Sequence, residues 1–426
     1  MILARRSHGE GGEGTPSEDE VRALLAAVEE PDLSRGIGEL GILGSVEIGP
    51  TKLKVELAVP SPWWPGLNAI EDGLRRVAAS IEGAGEVVTE VREMSAEERQ
   101  LLRDVLASPR SPKSSGGRSP GEAVGSEAVD DEEPGNEIMI GSSLPSRGAR
   151  NRFLRQSSRT RIVGISSGKG GVGKSSVTVN LAVALAARGL DVGLLDADVY
   201  GFSVPKMLGI SRVPAAIDEV IVPPVAHGVH CVSLGFFVED DQPVVWRGPL
   251  LHKALEQFLV DAYWGEPDFL LVDMPPGTGD VALSLGQYLP RSEVLVVTTP
   301  QPAAQRVAQR SGAAARKLKL AVRGVVENMS WFTGDDGRRY DLFGSGGGEL
   351  LAADLEVPLL GKVPFLPAVR EGGDVGVPAR VSDPDGEAAA AFDALAERVV
   401  ELGPTRVHRP TLKVRDGRAA AGSILG

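Results

Sequence analysis

Residues 168–175 read Gly-Lys-Gly-Gly-Val-Gly-Lys-Ser, and no other stretch limits the possible folds of this chain so sharply. The segment before it, Arg161-Ile162-Val163-Gly164-Ile165-Ser166, reads as a strand. The segment after it, Ser175 to Arg188, reads as a helix with Val179, Ala182, Val183 and Ala186 on one side. Gly, four residues, then Gly-Lys-Ser at a strand-to-helix junction is a phosphate-cradling loop, or P-loop. Gly168, Gly170, Gly171 and Gly173 permit the tight turn that aims backbone N–H groups at phosphate oxygens, with Val172 and Ser176 in the same cradle. The phosphates then meet the N-terminus of a helix. Lys174 is placed to reach the β- and γ-phosphates, and the Ser175 hydroxyl to ligate Mg²⁺.

From Thr160 onward, strands and helices alternate. Val192–Asp196, Val229–Leu234, Phe269–Asp273, Val294–Thr299, Gly324–Asn328 and Pro358–Val363 are near-continuous apolar runs. Helical spacing marks 175–188, 250–262, 280–288, 303–319 and 387–402. The pattern predicts an α/β domain over 158–403 with a mostly parallel, doubly wound sheet covered on both faces. Ligands of such sheets bind beyond the carboxyl ends of the strands. Leu195-Asp196-Ala197-Asp198 falls at one such end. At another, Leu270-Leu271-Val272-Asp273 is an apolar strand ending in aspartate, followed by the Pro/Gly loop Met274 to Asp280. That is a Walker B arrangement, and Asp273 can help hold Mg²⁺. Gly277 and Gly279 let the backbone approach a γ-phosphate and move after hydrolysis.

Lys169, directly after the first motif glycine, has no counterpart in an ordinary P-loop. Here the chain resembles the deviant Walker A ATPases of MinD/ParA type, whose pattern is Lys-Gly-Gly-x-Gly-Lys-Ser/Thr. The resemblance implies a nucleotide-sandwich homodimer in which Lys169 contacts the nucleotide of the other subunit. It also implies that Asp198 orients the attacking water, that Asp196 sits near the Mg²⁺ water shell, and that Asn328 hydrogen-bonds the adenine. Further stretches narrow the likeness: Tyr200-Gly201, Val245-Trp246-Arg247-Gly248-Pro249, Glu327-Asn328-Met329-Ser330, Phe343 to Gly348, and Arg370 with Gly373-Asp374. Together they cover roughly 160–380 and are similar to the Mrp/ApbC-type ATPases, whose members are iron–sulfur cluster carriers. The resemblance implies slow, Mg²⁺-dependent ATP hydrolysis with Lys169, Lys174, Asp198 and Asp273 as catalytic groups, and apoprotein clients.

One departure is plain. Many members carry Cys-x-x-Cys between the Asn-Met-Ser and Gly-rich segments, so that four thiolates from two subunits hold a bridging [4Fe–4S] cluster. Here the interval Trp331 to Tyr340 has no cysteine, and Gly334-Asp335-Asp336-Gly337 predicts a hairpin turn instead. The single cysteine, Cys231, lies beside His230 in an apolar strand. Neighbours on a strand face opposite sides, so Cys231 is expected to be a buried structural thiol rather than a metal ligand. His227 is expected in a loop.

Upstream, Ser17-Glu18-Asp19-Glu20 is a capping box, and Val21, Leu24, Leu25 and Val28 follow at helical spacing. Leu53, Val55, Leu57 and Val59 alternate as in a half-buried strand. Leu67 to Ile81 reads as a helix, Glu86 to Arg92 as a strand, and Ser95 caps a last helix through Leu106. This predicts a small α+β domain over 17–107. Pro31-Asp32-Leu33, Ile37 and Leu40-Gly41 make it resemble the iron–sulfur assembly domain that precedes many Mrp proteins. Many such domains carry a cysteine after the strand; Pro60-Ser61-Pro62-Trp63-Trp64-Pro65 has none. Residues 1–16 and 108–157 are expected to be disordered, and 404–426 to form a tail.

Composition adds exclusions. No apolar run approaches the roughly 20 residues of a membrane span, and Met1 to Glu20 lacks a signal-peptide core, so a cytoplasmic location is expected. A net charge of −13 argues against nucleic acid as partner. The stretch Thr405 to Gly426, with Pro410 and several glycines, offers no basic amphipathic helix for a membrane. Beside the carrier reading stand a MinD/ParA-like positioning ATPase and an ATP-gated scaffold without a cluster of its own.

Overall fold

The computed structural model describes residues 17–49, 51–81, 85–108, 151–155, 157–198, 201–237, 248–277 and 280–404. The expected disordered N-terminus, most of the linker, the C-terminal tail, and the family-like Tyr200 and Val245-Trp246-Arg247 lie outside these residues.

The small domain runs α1 (Glu18–Ala26), β1 (Glu29–Glu30), β2 (Arg35–Gly36), β3 (Leu43–Ile48), β4 (Lys52–Val59), α2 (Leu67–Ala79), β5 (Glu86–Glu93) and α3 (Ala96–Ala107). The expected capping box forms: Ser17 Oγ accepts from Glu20 N, and Glu20 accepts from Ser17 N at 2.8 Å. Ser95 and Glu98 repeat it at the start of α3. β4 is central, antiparallel to β3 and parallel to β5, with α2 as the crossover. Its alternating Leu53, Val55, Leu57 and Val59 are all buried against the helices. β3 was not expected. Its Leu-Gly-Ser-Val-Glu-Ile has too little alternation to read as a strand, and its pairing slips register between Leu43 and Val46. In the cysteine-free segment, Trp63 is exposed while Trp64 is buried and donates Nε1–H to Glu30 at 3.0 Å.

The second domain begins earlier than its expected start. Asn151 to Arg155, assigned to the linker on composition, pack on it, with Phe153 buried against Leu255 and Leu289. There follow β6 (Arg161–Ser167), α4 (Lys174–Ala187), β7 (Val192–Asp196), α5 (Val204–Met207), β8 (Ala215–Ile217), β9 (Val220–Val222), β10 (Val225–Ala226), β11 (Val229–Ser233) and α6 (Gly248–Asp261). Then come β12 (Phe269–Asp273), α7 (Asp280–Tyr288), β13 (Glu293–Thr298), α8 (Pro302–Lys317), β14 (Ala321–Glu327), β15 (Phe332–Thr333) and β16 (Arg339–Tyr340). The chain closes with α9 (Gly347–Asp354), β17 (Leu359–Lys362), α10 (Pro367–Val375), α11 (Ala379–Ser382) and α12 (Glu387–Glu401).

The main sheet has the order β10-β11-β7-β12-β6-β13-β14-β17, all parallel except the edge strand β10. The expected doubly wound parallel sheet is therefore present. β6 and β12 are adjacent and central, so the P-loop after β6 and the aspartate ending β12 emerge side by side. α4 differs from the one-sided helix its spacing suggested. Val177 through Leu185 are all buried, because the helix is sandwiched between the sheet and α12. β15 and β16 form the hairpin expected at 334–337, closed by Gly334 N to Arg338 O at 2.9 Å, with Gly337 at φ +73°.

The two domains share an apolar core. Ile217, Val222 and Tyr263 of the second domain are buried in one cluster with Leu25, Leu33 and Leu106 of the first. Asp32 accepts from Val225 N at 2.9 Å and pairs with Arg212. Asp218 pairs with Arg99 and Arg103, each at 3.2 Å. Most of these second-domain contacts come from the excursion between β7 and β11. Among the described residues, no helix is long and apolar enough to cross a membrane.

Candidate nucleotide-binding site

The loop after β6 turns with Gly171 at φ +78° and Gly173 at φ +79°, conformations that favour glycine. Gly168 packs so tightly that a Cβ would collide with the backbone of Val307 and Ala308. A Cβ on Gly173 would collide with the Asn328 amide. Gly171 and Gly173, with Lys169, Gly170, Lys174, Ser175, Ser176 and Asp198, border an open cavity of about 190 Å³ at the carboxyl ends of β6 and β7. Of the loop positions expected to bind nucleotide, Gly168 and Val172 do not line it.

Lys174 opens α4 and is buried. Its ammonium lies 2.8 Å from Asp273 Oδ2 and 3.3 Å from Asp198 Oδ2. Ser175 donates its hydroxyl to Asp273 Oδ2 at 2.6 Å. Thr178, which sequence reasoning passed over, donates to Asp273 Oδ1 at 2.7 Å while remaining bonded to the Lys174 carbonyl. The usable signal was spacing: Thr178 stands four residues after Lys174, on the same helix face. Asp273 is fully buried, and these charge-assisted bonds hold it in place.

Asp196 is also fully buried. It accepts from the Ser233 hydroxyl at 2.9 Å and from Asp198 N at 3.2 Å. Burial first, and the adjacent Asp273 charge second, push its pKa up to about 8. Its protonated form is therefore favoured well beyond that of an ordinary carboxyl. Ser233 was likewise missed, because it ends a strand that otherwise reads as core.

Lys169 is half-buried at the cavity rim, and its ammonium has no ion pair among the described residues. Asn328 is buried, with Nδ2 donating to the Val172 carbonyl at 2.9 Å. Its observed contact braces the P-loop from β14. Gly277, at φ +93°, returns N–H to the Ser167 carbonyl at 2.8 Å, tying the loop after β12 to the P-loop; Thr278 and Gly279 lie outside the described residues.

The site's oxygen donors suit a hard divalent cation. A serine hydroxyl and a carboxylate already touch, and Asp198 is close by on the same lysine.

The cluster chemistry fares differently. In the interval where the resemblance leads one to expect Cys-x-x-Cys, the β15–β16 hairpin is pinned by Glu387. That carboxylate accepts from Trp331 Nε1 and Thr333 Oγ1, each at 2.8 Å, while Arg339 stacks 4.4 Å over the Trp331 ring. Cys231 is buried in the apolar layer beneath α4, and burial pushes its thiol pKa up. This matches the expected structural role and disfavours the thiolate that metal binding needs. His227 sits at the β10–β11 turn as expected, within 3.3 Å of the Gly376 carbonyl. Among the described residues, no group of three or more His, Cys, Asp and Glu is placed to hold a metal ion.

The sequence model described as ParA, the NUBPL iron-transfer P-loop NTPases, matches residues 158–400. The chain belongs to that family. The iron-sulfur cluster carrier protein of Mycobacterium bovis is 41% identical over 384 residues, covering 88% of this NTPase and 91% of that protein. The protein of the same description from Synechocystis is 37% identical over 388 residues, covering 89% and 96%. A solved nucleotide-binding protein from Archaeoglobus fulgidus, in complex with ADP, is 34% identical over 55% of this chain and 91% of its own, with a TM-score of 0.47.

Proposed function

We propose that this NTPase binds ATP with Mg²⁺ and hydrolyses it slowly as a homodimer. We propose further that it uses that cycle in passing iron–sulfur clusters to apoproteins in the cytoplasm. The observation that carries the nucleotide reading is the convergence of Lys174, Ser175 and Thr178 on buried Asp273 beneath a glycine-framed loop. The Lys174 ammonium is shared between Asp273 and Asp198. Arriving phosphates compete for it, and the backbone N–H groups of 170–174 supply the remaining cradle. Mg²⁺, held by Ser175 with Asp273, would offset the phosphate charge that Lys174 alone cannot. Asp198, released from the lysine, is then positioned to accept a hydrogen bond from the attacking water. Lys169 is the candidate cation for the partner subunit's nucleotide, since at the rim it makes no ion pair among the described residues. Asn328 has a carboxamide oxygen left for adenine while its Nδ2 braces the loop.

The cargo reading rests on the carriers that share about two fifths of the sequence over both domains. The cluster is substrate here, and a symmetric dimer offers only two buried Cys231 thiols toward the four ligands a [4Fe–4S] cluster usually takes. The remaining ligands would come from a client or a small thiol, so the isolated protein should bind ATP yet hold no stable cluster. Anaerobic reconstitution with iron and sulfide analysis tests this, alongside light scattering of Asp198→Asn with and without ATP. Near-stoichiometric iron and sulfide lost on Cys231→Ser would overturn the cargo reading as stated. A chain that stays monomeric with ATP would overturn the sandwich.

A further inference from the structure

A second cavity, of about 370 Å³, opens where the small domain, the strap before β6 and the turn before β12 meet. It is bordered by Thr160 and Asp268, which directly precede β6 and β12, so it lies at the amino ends of strands whose carboxyl ends form the nucleotide site. Strands of five to seven residues separate the two places by roughly 15–20 Å.

Its wall carries Arg35, Arg152, Arg155 and Arg159 against Glu266 and Asp268. Two of the six are committed elsewhere. Arg35 donates to the Tyr263 hydroxyl, to Glu39 and to the carbonyls of Val105 and Ser108. Asp268 accepts from Asp191 N at 2.9 Å. Arg152 donates to the Gly265 carbonyl, and neither it nor Arg155 or Arg159 makes an ion pair among the described residues. Burial pulls the Arg152 guanidinium below its usual range; Tyr263 and Glu266 oppose that pull, and like-charge repulsion from Arg155 and Arg35 adds to it. A partly desolvated cation with no close ion pair among the described residues is costly, and a bound anion reduces that cost. Guanidinium forks match phosphate and carboxylate oxygens in pairs, and the volume falls within the roughly 300–1,000 Å³ of small-molecule sites.

We propose that this cavity is an anion site separate from the P-loop, taking a small molecule with two or more phosphate or carboxylate charges. Its walls come from both domains, so an occupant would bridge them at Arg152 and the end of α3.

The test is calorimetric titration of pyrophosphate and of citrate into the full chain, with the P-loop kept filled by saturating ADP and Mg²⁺. One-to-one binding is expected, weakening with salt. Arg152→Gln with Arg155→Gln and Arg159→Gln should reduce it about tenfold or more, given the worth of a charge-assisted hydrogen bond, while leaving ADP affinity unchanged. Should loss of the Arg152 bond to Gly265 impair folding, the Arg155→Gln/Arg159→Gln pair alters only exposed side chains and should still weaken binding several-fold. The chain itself carries an acidic run, Asp130 to Glu133, outside the described residues. A variant with those four neutralised separates the sources. A probe that binds only this variant identifies the run as the native anion. Failure of both probes with both wild type and this variant, or equal binding to the arginine variants, overturns the proposal.

Discussion

Replacing Lys174 with alanine should destabilise the nucleotide-free protein as well as abolish nucleotide binding. The ammonium is 6% exposed and is shared between Asp273 at 2.8 Å and Asp198 at 3.3 Å. Burial favours the protonated form of Asp196, so the Lys174 ammonium chiefly balances the carboxylates of Asp273 and Asp198. Lys174→Ala removes that ammonium from both carboxylates. Removing one partner of a buried pair costs about 3–5 kcal/mol. The Ser175 and Thr178 hydroxyls remain on Asp273, so the expected loss is at the lower end, about 3 kcal/mol. The pH dependence has a definite sign. The Lys174 charge lowers the Asp196 pKa, so its loss lets Asp196 keep its proton to higher pH. A raised folded-state pKa gives stability that is lost as pH rises through it. In the wild type that loss ends near pH 8, whereas in the variant it continues, so the deficit should be larger at about pH 9 than at about pH 6. Adding Asp273→Asn removes the most buried charge and should restore more than half of the loss. Urea denaturation followed by circular dichroism, on wild type, both single variants and the double, measures all four corners. A Lys174→Ala protein as stable as wild type at high pH, or a double variant no better than the single, would refute the reasoning.

Two other outcomes follow from described contacts. Glu30 is fully buried, and burial first, opposed by the Leu33 N–H bond, raises its pKa from 4.5 to about 7. Its contribution is present below pH 4.5 and lost as pH rises toward 7, so Glu30→Gln should gain up to about 3 kcal/mol on wild type between pH 5 and pH 8, read from denaturation midpoints. Gly173→Ala combines a φ of +79° with a collision at Asn328; it should cost about 2 kcal/mol and weaken binding of a fluorescent ATP analogue about tenfold or more, and wild-type affinity would contradict the loop geometry.

The nucleotide site was legible because its residues are local in sequence: a loop, a strand end and a strand end, each bounded by apolar runs. What supports them was not. Thr178 and Ser233 stand in segments that otherwise read as core, and only the sheet order brings them to Asp273 and Asp196. Asn328 was read as an adenine contact; its additional bond, across 156 residues to the Val172 carbonyl, was not foreseen. Residues 151–155 carry linker-like composition, and the single Phe153 decides their placement. The short strands β8 and β9, three residues each, have too few positions for alternation to declare a face. Their burial depends on a domain that lies more than 100 residues upstream in the chain.

That last contact bears on what joins the two halves of the molecule. The small domain's core includes Ile217, Val222 and Tyr263, and its polar rim is held by Arg212 and Asp218. Cut out at its sequence boundary, it would expose the apolar face those residues cover. The peptide connection through 109–150 is then redundant for association. A chain nicked there should elute from a sizing column as one particle, and both fragments should melt together rather than in sequence.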